Sequence, residues 1–437
     1  MRAVLRRDAT IASSRIVSPA AWDRWALVAL LVLAKGTIVL VAFLGWKLLP
    51  FAVGNYQVNF VDPAQAGNSL ATLFSTWDGQ HFLYLSQSGY RAGILSDNQF
   101  PLYPALIHLA APIFGGSARG ALVVSNVASL IGFCLLFDLV RLLYDRALAW
   151  RTVLLYLAFP TAFFFALVYS EAIFFLLAML FFHFLFRGRL AWAALPAALL
   201  PLARAPGFLI LIPFVSYYLV EVAGLGRPFW GVARHDPGTA TVPADAVSAA
   251  GTPSGQAAGW LDEFKPRALW SPRALLVLSP LLGVGAYLGF MYLATGNPFE
   301  MARAAASNVS GFSPTLFMHP GRLVHQLTDQ PLQIHGFTNS MLDRAFFLAF
   351  VALLIPLFRK VHISLALYGL AMGAISVVGG SFVSYTRYVL LAFPVFIAVA
   401  LLLRGRRAGV LWLPLLYLFT MLQSLLLVMQ ALNYWVA

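Results

Sequence analysis

Charge is what this chain lacks. Only 10% of its 437 residues are Asp, Glu, Lys or Arg, where a soluble domain usually has about 25%. Apolar runs recur along the whole length, hydrophobic residues reach 61%, and the mean hydropathy is +0.81. That balance excludes an ordinary soluble domain. It points to an all-α polytopic membrane protein, because a chain in lipid must satisfy its backbone polar groups internally. Cysteine is almost absent. The single Cys134 lies in an apolar run, which excludes an internal disulfide and a cysteine-based zinc site and reads as a packed thiol. No P-loop or glycine-rich nucleotide fingerprint stands out, and no repeat of fixed period is evident.

The charge that is present is one-sided, with a net +13. Its placement explains it without nucleic acid. Apolar segments lie at about 25–45, 120–140, 152–168, 172–186, 190–203, 207–222, 274–294, 342–358, 361–380, 384–403 and 409–432, so about eleven spans (10–12) are expected. The first reads as a retained span, since no cleavage site precedes it. With the N-terminus inside, one side receives the N-terminal arginines, RLLYDRALAWR (141–151), RGR (187–189), the 224–271 loop, RK (359–360) and RGRR (404–407). Those segments hold most of the 29 Lys and Arg residues, as the positive-inside rule requires. PLYPALIHLAAPIFGG (101–116) would reverse this order if it crossed, so it reads as a helix at the outer interface. The whole chain, 1–437, is read as one transmembrane domain. Its first outer loop is 46–119, a further outer loop is 295–341, and 224–271, rich in Ala, Gly, Pro, Ser and Thr, is a flexible cytoplasmic connection.

The outward side then collects the polar residues. WDGQHFLYLSQSGY (77–90) carries an acid, a His and two Gln among aromatics. A polar cluster near a membrane is costly and suggests a water-accessible cavity. Asp78 is the candidate catalytic residue: its carboxylate can take a proton from a hydroxyl nucleophile, or it can simply cap a helix. Trp77 offers a flat face to a sugar, and His81 falls on the same helix face as Asp78. Two such ligands make a weak metal site, and none is assigned; no cofactor is required. Asp62, Asp97, Glu300, Asp329 and Asp343 are other outer acids, and nothing local selects one. Glu171 in YSE needs a basic partner, with Arg204 or Arg387 placed to supply it, as an ion pair or as a substrate-orienting group. Arg204 and Arg387 suit a phosphate, and Tyr169, Tyr385 and Tyr388 add hydroxyls or stacking. Lys35, mid-span, needs an acid or cavity water. Together these parts suit glycosyl transfer from a lipid phosphate. A transporter or flippase of a lipid-linked sugar is the alternative, and would place its essential charges nearer the midplane.

WDGQHFLYLSQSGY followed by QFPLYP resembles the WD-x-x-H signature of the PIG-V mannosyltransferase family. FPTAFFFALVYSEAIF, PLARAPG and SYTRYVLLAFPVF are similar to its later segments in the same order, with departures at Phe159, Ala205 and Pro206. The resemblance implies a GT-C-type fold and an inverting transfer of mannose, or a similar hexose, from a polyprenyl-phosphate donor to a lipid or glycan hydroxyl. It also implies an essential acid in the first outer loop, where Asp78 stands, and an active site on the extracytoplasmic side. With the Arg- and Ala-rich composition, the membrane expected is a bacterial inner membrane.

Overall fold

The computed structural model describes residues 19–52, 54–55, 70–226, 259, 261, 263–306, 321–328, 335, 340–378 and 382–436. Among them every regular element is helical. Six helical stretches are long and apolar enough to cross a membrane by length and composition: Asp23–Leu48, Ser117–Leu143, Ala205–Val222, Pro272–Thr295, Met341–Lys360 and Ala408–Ala431. The chain is an integral membrane protein. Residues 227–258, the bulk of the expected flexible connection, lie outside the described residues.

The other expected spans are shorter or broken. Helix α1 is Pro19–Leu48 and α2 is Asp78–Ser88. Helix α3, Leu102–Phe114, turns through Gly115 (φ 74°) and Gly116 (φ 127°) into α4, Ser117–Leu143. These positive φ angles are open to glycine and strained for other residues. The hairpin folds α3 back along the first half of α4, where the Tyr103 hydroxyl donates to Ala121 O at 3.1 Å and meets Ser125 Oγ at 2.6 Å. With 13 residues, α3 is about 20 Å long, short of a bilayer core of about 30 Å.

The expected span 152–168 is not one helix. Helix α5, Arg146–Ala158, stops where Phe159 turns extended (ψ 138°) before Pro160, a residue that disfavours helix at the preceding position. A 3₁₀ turn, Ala162–Ala166, follows, and α6, Glu171–Leu185, begins after it. The expected span 384–403 is likewise divided, into Tyr385–Val389 and Pro394–Leu402. Aromatic rings fill the core beneath the 159–170 break. Tyr156 stacks on Phe396 at 4.2 Å and meets Phe133, Phe165 and Phe175 edge-on. The Tyr156 hydroxyl donates to Leu390 O.

Contacts sort the two ends of the bundle. Arg146 pairs with Asp23 at 2.6 Å, and Arg404 with Asp145 at 2.6 Å. Tyr144 OH donates to Lys360 O, and Arg151 to Leu403 O. The segments 141–151, 359–360 and 404–407, all read as lying on one side, therefore meet, and the start of α1 joins them. The acids and arginines of the other group meet elsewhere.

Candidate active site

Four separate stretches of sequence supply one chain of charges. Asp78 Oδ2 accepts from Arg387 Nη1 at 2.8 Å, although 309 residues separate them. Arg387 Nε donates to Glu171 Oε1 at 2.5 Å, and Arg204 Nη1 reaches the same oxygen at 2.6 Å. Arg204 also donates to Ser170 Oγ at 3.1 Å. Two carboxylates and two guanidiniums balance, which is what burial of charge demands.

Each member is placed by its own local structure. Asp78 opens α2 behind Trp77, whose φ of 54° forces a sharp entry. Its carboxylate goes to Arg387. Glu171 opens α6, where the positive end of the helix favours a carboxylate. Arg204 ends Leu190–Ala203 in an extended conformation before the 3₁₀ turn Ala205–Ile210. That turn packs so closely that a Cβ on Gly207 would lie 2.1 Å from Leu200 O, so glycine is required there. Arg387 sits on the five-residue helix Tyr385–Val389, which Asp343 anchors by accepting from Thr386 N at 2.7 Å and Thr386 Oγ1 at 2.6 Å.

Exposure separates the four roles. The Glu171 side chain is 0% exposed, Arg387 5% and Arg204 11%, while Asp78 is 34% exposed. Asp78 is the most exposed of the four. Burial works to raise its carboxyl, but the Arg387 charge and hydrogen bond more than offset this and hold it below the ordinary value of 3.8. Glu171 Oε2 has no hydrogen-bond partner among the described residues, nor has the Trp77 indole nitrogen.

Aromatic rings floor the cluster. Arg387 lies 4.6 Å from the Tyr169 ring and 4.9 Å from Phe164, and Arg204 lies 5.7 Å from Tyr388. Tyr169 is held by donation to Thr76 O at 2.8 Å and by Gln430 Nε2 at 3.0 Å. Trp77 packs edge-on against Trp435 at 4.9 Å. His81 shares the Asp78 face of α2 and meets Ser96 Oγ at 2.9 Å.

Asp78, Glu171, Arg204 and Arg387, with Tyr169 and Tyr388, are thus brought together as the sequence suggested. Tyr385 is not. Its hydroxyl donates to Gly373 O at 3.0 Å and its ring packs with Phe347, Phe350 and Phe382. Among the other acids expected to face outward, Asp343 is the anchor just described. Asp97 is buried, accepts from Arg91 N at 3.4 Å and is pushed up to about 6 by burial. Glu300 accepts from Gly93 N and Arg303. Asp62 and Asp329 lie outside the described residues. Sequence reasoning missed Phe164, Thr76, Gln430 and Trp435. No local pattern marks them, since their role exists only through the residues they touch. Among the described residues no group of three or more potential ligands could hold a metal ion.

No family model matches the chain, and no curated protein matches it in sequence at a significant level. Solved structures do align with it. The oligosaccharyltransferase of Archaeoglobus fulgidus in the apo form matches at 12% identity and a TM-score of 0.46, over 92% of this chain and 56% of that one. The archaeal oligosaccharyltransferase AglB, in complex with an inhibitory peptide and a dolichol-phosphate, matches at 13% and 0.39, over 92% and 56%. ArnT from Cupriavidus metallidurans, bound to undecaprenyl phosphate, matches at 14% and 0.32, over 91% and 77%. The chain therefore spans little more than half the length of the oligosaccharyltransferase chains it aligns with. All three scores are low, and none decides fold or function.

Proposed function

We propose that this chain is an inverting, GT-C-type membrane glycosyltransferase that moves a hexose from a polyprenyl-phosphate donor to a lipid or glycan hydroxyl. Mannose is the sugar and PIG-V-like the family we infer from the sequence motifs, with the site on the extracytoplasmic side. One observation carries the reading. Residues from all four motifs, Asp78, Glu171, Arg204 and Arg387, form a single buried ion chain with one partly exposed carboxylate at its outer end.

The chemistry follows from that order. A phosphate entering from the bilayer meets Arg387 and Arg204, whose forked donors suit its oxygens. Glu171 is fixed by both arginines and stays as their counter-charge. Asp78 holds Arg387 through one nitrogen and is the exchangeable partner, so the phosphate displaces it. While paired, Asp78 is held at a low pKa and is a weak base. Once released, its carboxyl rises toward the ordinary range and can take the acceptor's proton. The acceptor oxygen then bonds to the anomeric carbon as the bond from that carbon to the phosphate oxygen breaks on the opposite face. The phosphate leaves with the electron pair and is stabilised by the arginines. Trp77, His81, Tyr169 and Tyr388 line or brace this space.

The test is transfer of radiolabelled hexose from polyprenyl-phosphate mannose, and from the glucose analogue, to a membrane lipid extract by purified protein in lipid. A labelled glycolipid made by wild type and not by Arg387→Met supports the reading. Donor binding with no transfer to any acceptor would favour the carrier alternative.

A further inference from the structure

Lys35 is a titratable group within the bundle that the proposed chemistry does not use. It lies midway along α1, Pro19–Leu48. The partner expected from sequence was an acid or water. The three hydrogen bonds of its ammonium go instead to neutral oxygens: Asn126 Oδ1 at 2.8 Å, Ser129 Oγ at 2.8 Å and Phe165 O at 3.3 Å. An ammonium has three donors, and all are used.

Those acceptors belong to the seam between α4 and the 159–170 break. Asn126 Nδ2 donates to Ala166 O at 3.1 Å, Ser129 Oγ lies 3.0 Å from Phe165 O, and Ser125 Oγ lies 3.3 Å from Tyr169 O. Non-helical backbone at membrane depth persists only where its carbonyls find partners inside the protein. The strip Ser125, Asn126 and Ser129 supplies them, and Lys35 locks the strip. By taking Asn126 Oδ1, the ammonium fixes the amide so that its nitrogen faces Ala166 O. It also adds a charged donor to Phe165 O directly.

The locked segment leads straight to the site. It carries Phe164 and Tyr169, the rings beside Arg387, and then Ser170 and Glu171, which bind Arg204 and Arg387. We propose that Lys35 is a positioning residue for the active site, setting the height of the aromatic floor and of Glu171 through the broken segment 159–170. Its effect on transfer rests on the function proposed above; its hold on the segment does not.

The experiment is amide hydrogen exchange on the full-length protein in lipid nanodiscs, with wild type, Lys35→Met and Lys35→Arg. Methionine keeps the length of the side chain and removes the charge. Loss of a charge-assisted lock predicts roughly tenfold or faster exchange in Lys35→Met over 159–170 and over 385–389. Helices away from the seam, such as 279–295, should exchange as in wild type, and Lys35→Arg should recover part of the protection. In the transfer assay the same variant should lose kcat roughly tenfold while donor KM stays within about twofold. Unchanged exchange at both segments overturns the proposal. So does a rise spread over all helices, which would make Lys35 an ordinary structural residue. If wild type transfers no sugar, the functional reading fails, and the exchange comparison still decides the claim for Lys35.

Discussion

Neutralising Glu171 should unbalance the buried ion chain, and the size of the effect can be worked from its geometry. Both guanidiniums approach one oxygen, at 2.5 and 2.6 Å, and the carboxylate has no exposed surface. Each attraction amounts to about 4 kcal/mol at a separation of about 4 Å and an effective dielectric of about 20. Desolvation offsets much of that in the intact cluster. Removing one partner from a buried pair, however, leaves an uncompensated charge and costs about 3–5 kcal/mol. Glu171→Gln is therefore expected to lose that much stability, and Arg204→Met somewhat less, because Arg204 keeps some exposure. The double variant restores neutrality, with Asp78 and Arg387 left as one pair. Its loss should fall short of the sum of the singles by about 2 kcal/mol or more, within the range seen for coupled neighbours. The assay is equilibrium unfolding of purified protein in mixed micelles at rising denaturing-detergent fraction, followed by helicity. Additive losses, within about 0.5 kcal/mol, would refute a shared, charge-balanced cluster.

Two other predictions concern acids outside the reaction. Asp97 holds its proton in the folded protein up to about pH 6, against an ordinary value of 3.8. Its raised pKa contributes stability that is fully present below the ordinary value and is lost as pH rises through about 6. Asp97→Asn should match wild type near pH 4 and exceed it by up to about 3 kcal/mol above pH 7; a constant difference across pH would contradict the assignment. Asp343→Ala strips Thr386 N and Oγ1 of their acceptor and should cost about 1–3 kcal/mol and unseat Arg387, whereas Asp343→Asn keeps an acceptor oxygen and should be milder. Unfolding curves and donor-lipid binding measured side by side on the two variants would show the difference.

Segregation of charge was legible in the sequence because lipid leaves few places for Lys and Arg. The loops carrying Arg146, Asp145 and Arg404 do meet at one end. The pairing of Glu171 with Arg204 and Arg387 was legible for the same reason: an acid among phenylalanines needs a partner, and few arginines were placed to supply one. The break at 159–170 was not legible. FPTAFFFALVY is as apolar as any helix, and a continuous apolar run cannot report whether it is helical. Pro160 was the local sign, and it shows only where α5 ends. What sustains the break is tertiary, through Ser125, Asn126, Ser129 and Lys35. Tyr385 failed for a similar reason. It lies two residues from Arg387, and the short helix turns the two side chains apart, so proximity in sequence misled.

The proposed function makes Asp78 the base and has the donor phosphate displace it from Arg387. The most direct measurement is single-turnover transfer of labelled hexose by wild type and Asp78→Asn, together with polyprenyl-phosphate binding to each. With Asp78 as the base, transfer by the variant should fall by about 10²-fold or more. Phosphate-lipid binding should be at least as tight as in wild type, because the competing carboxylate charge is gone. Equal transfer by both proteins, or loss of phosphate-lipid binding in a folded Asp78→Asn variant, would contradict this mechanism.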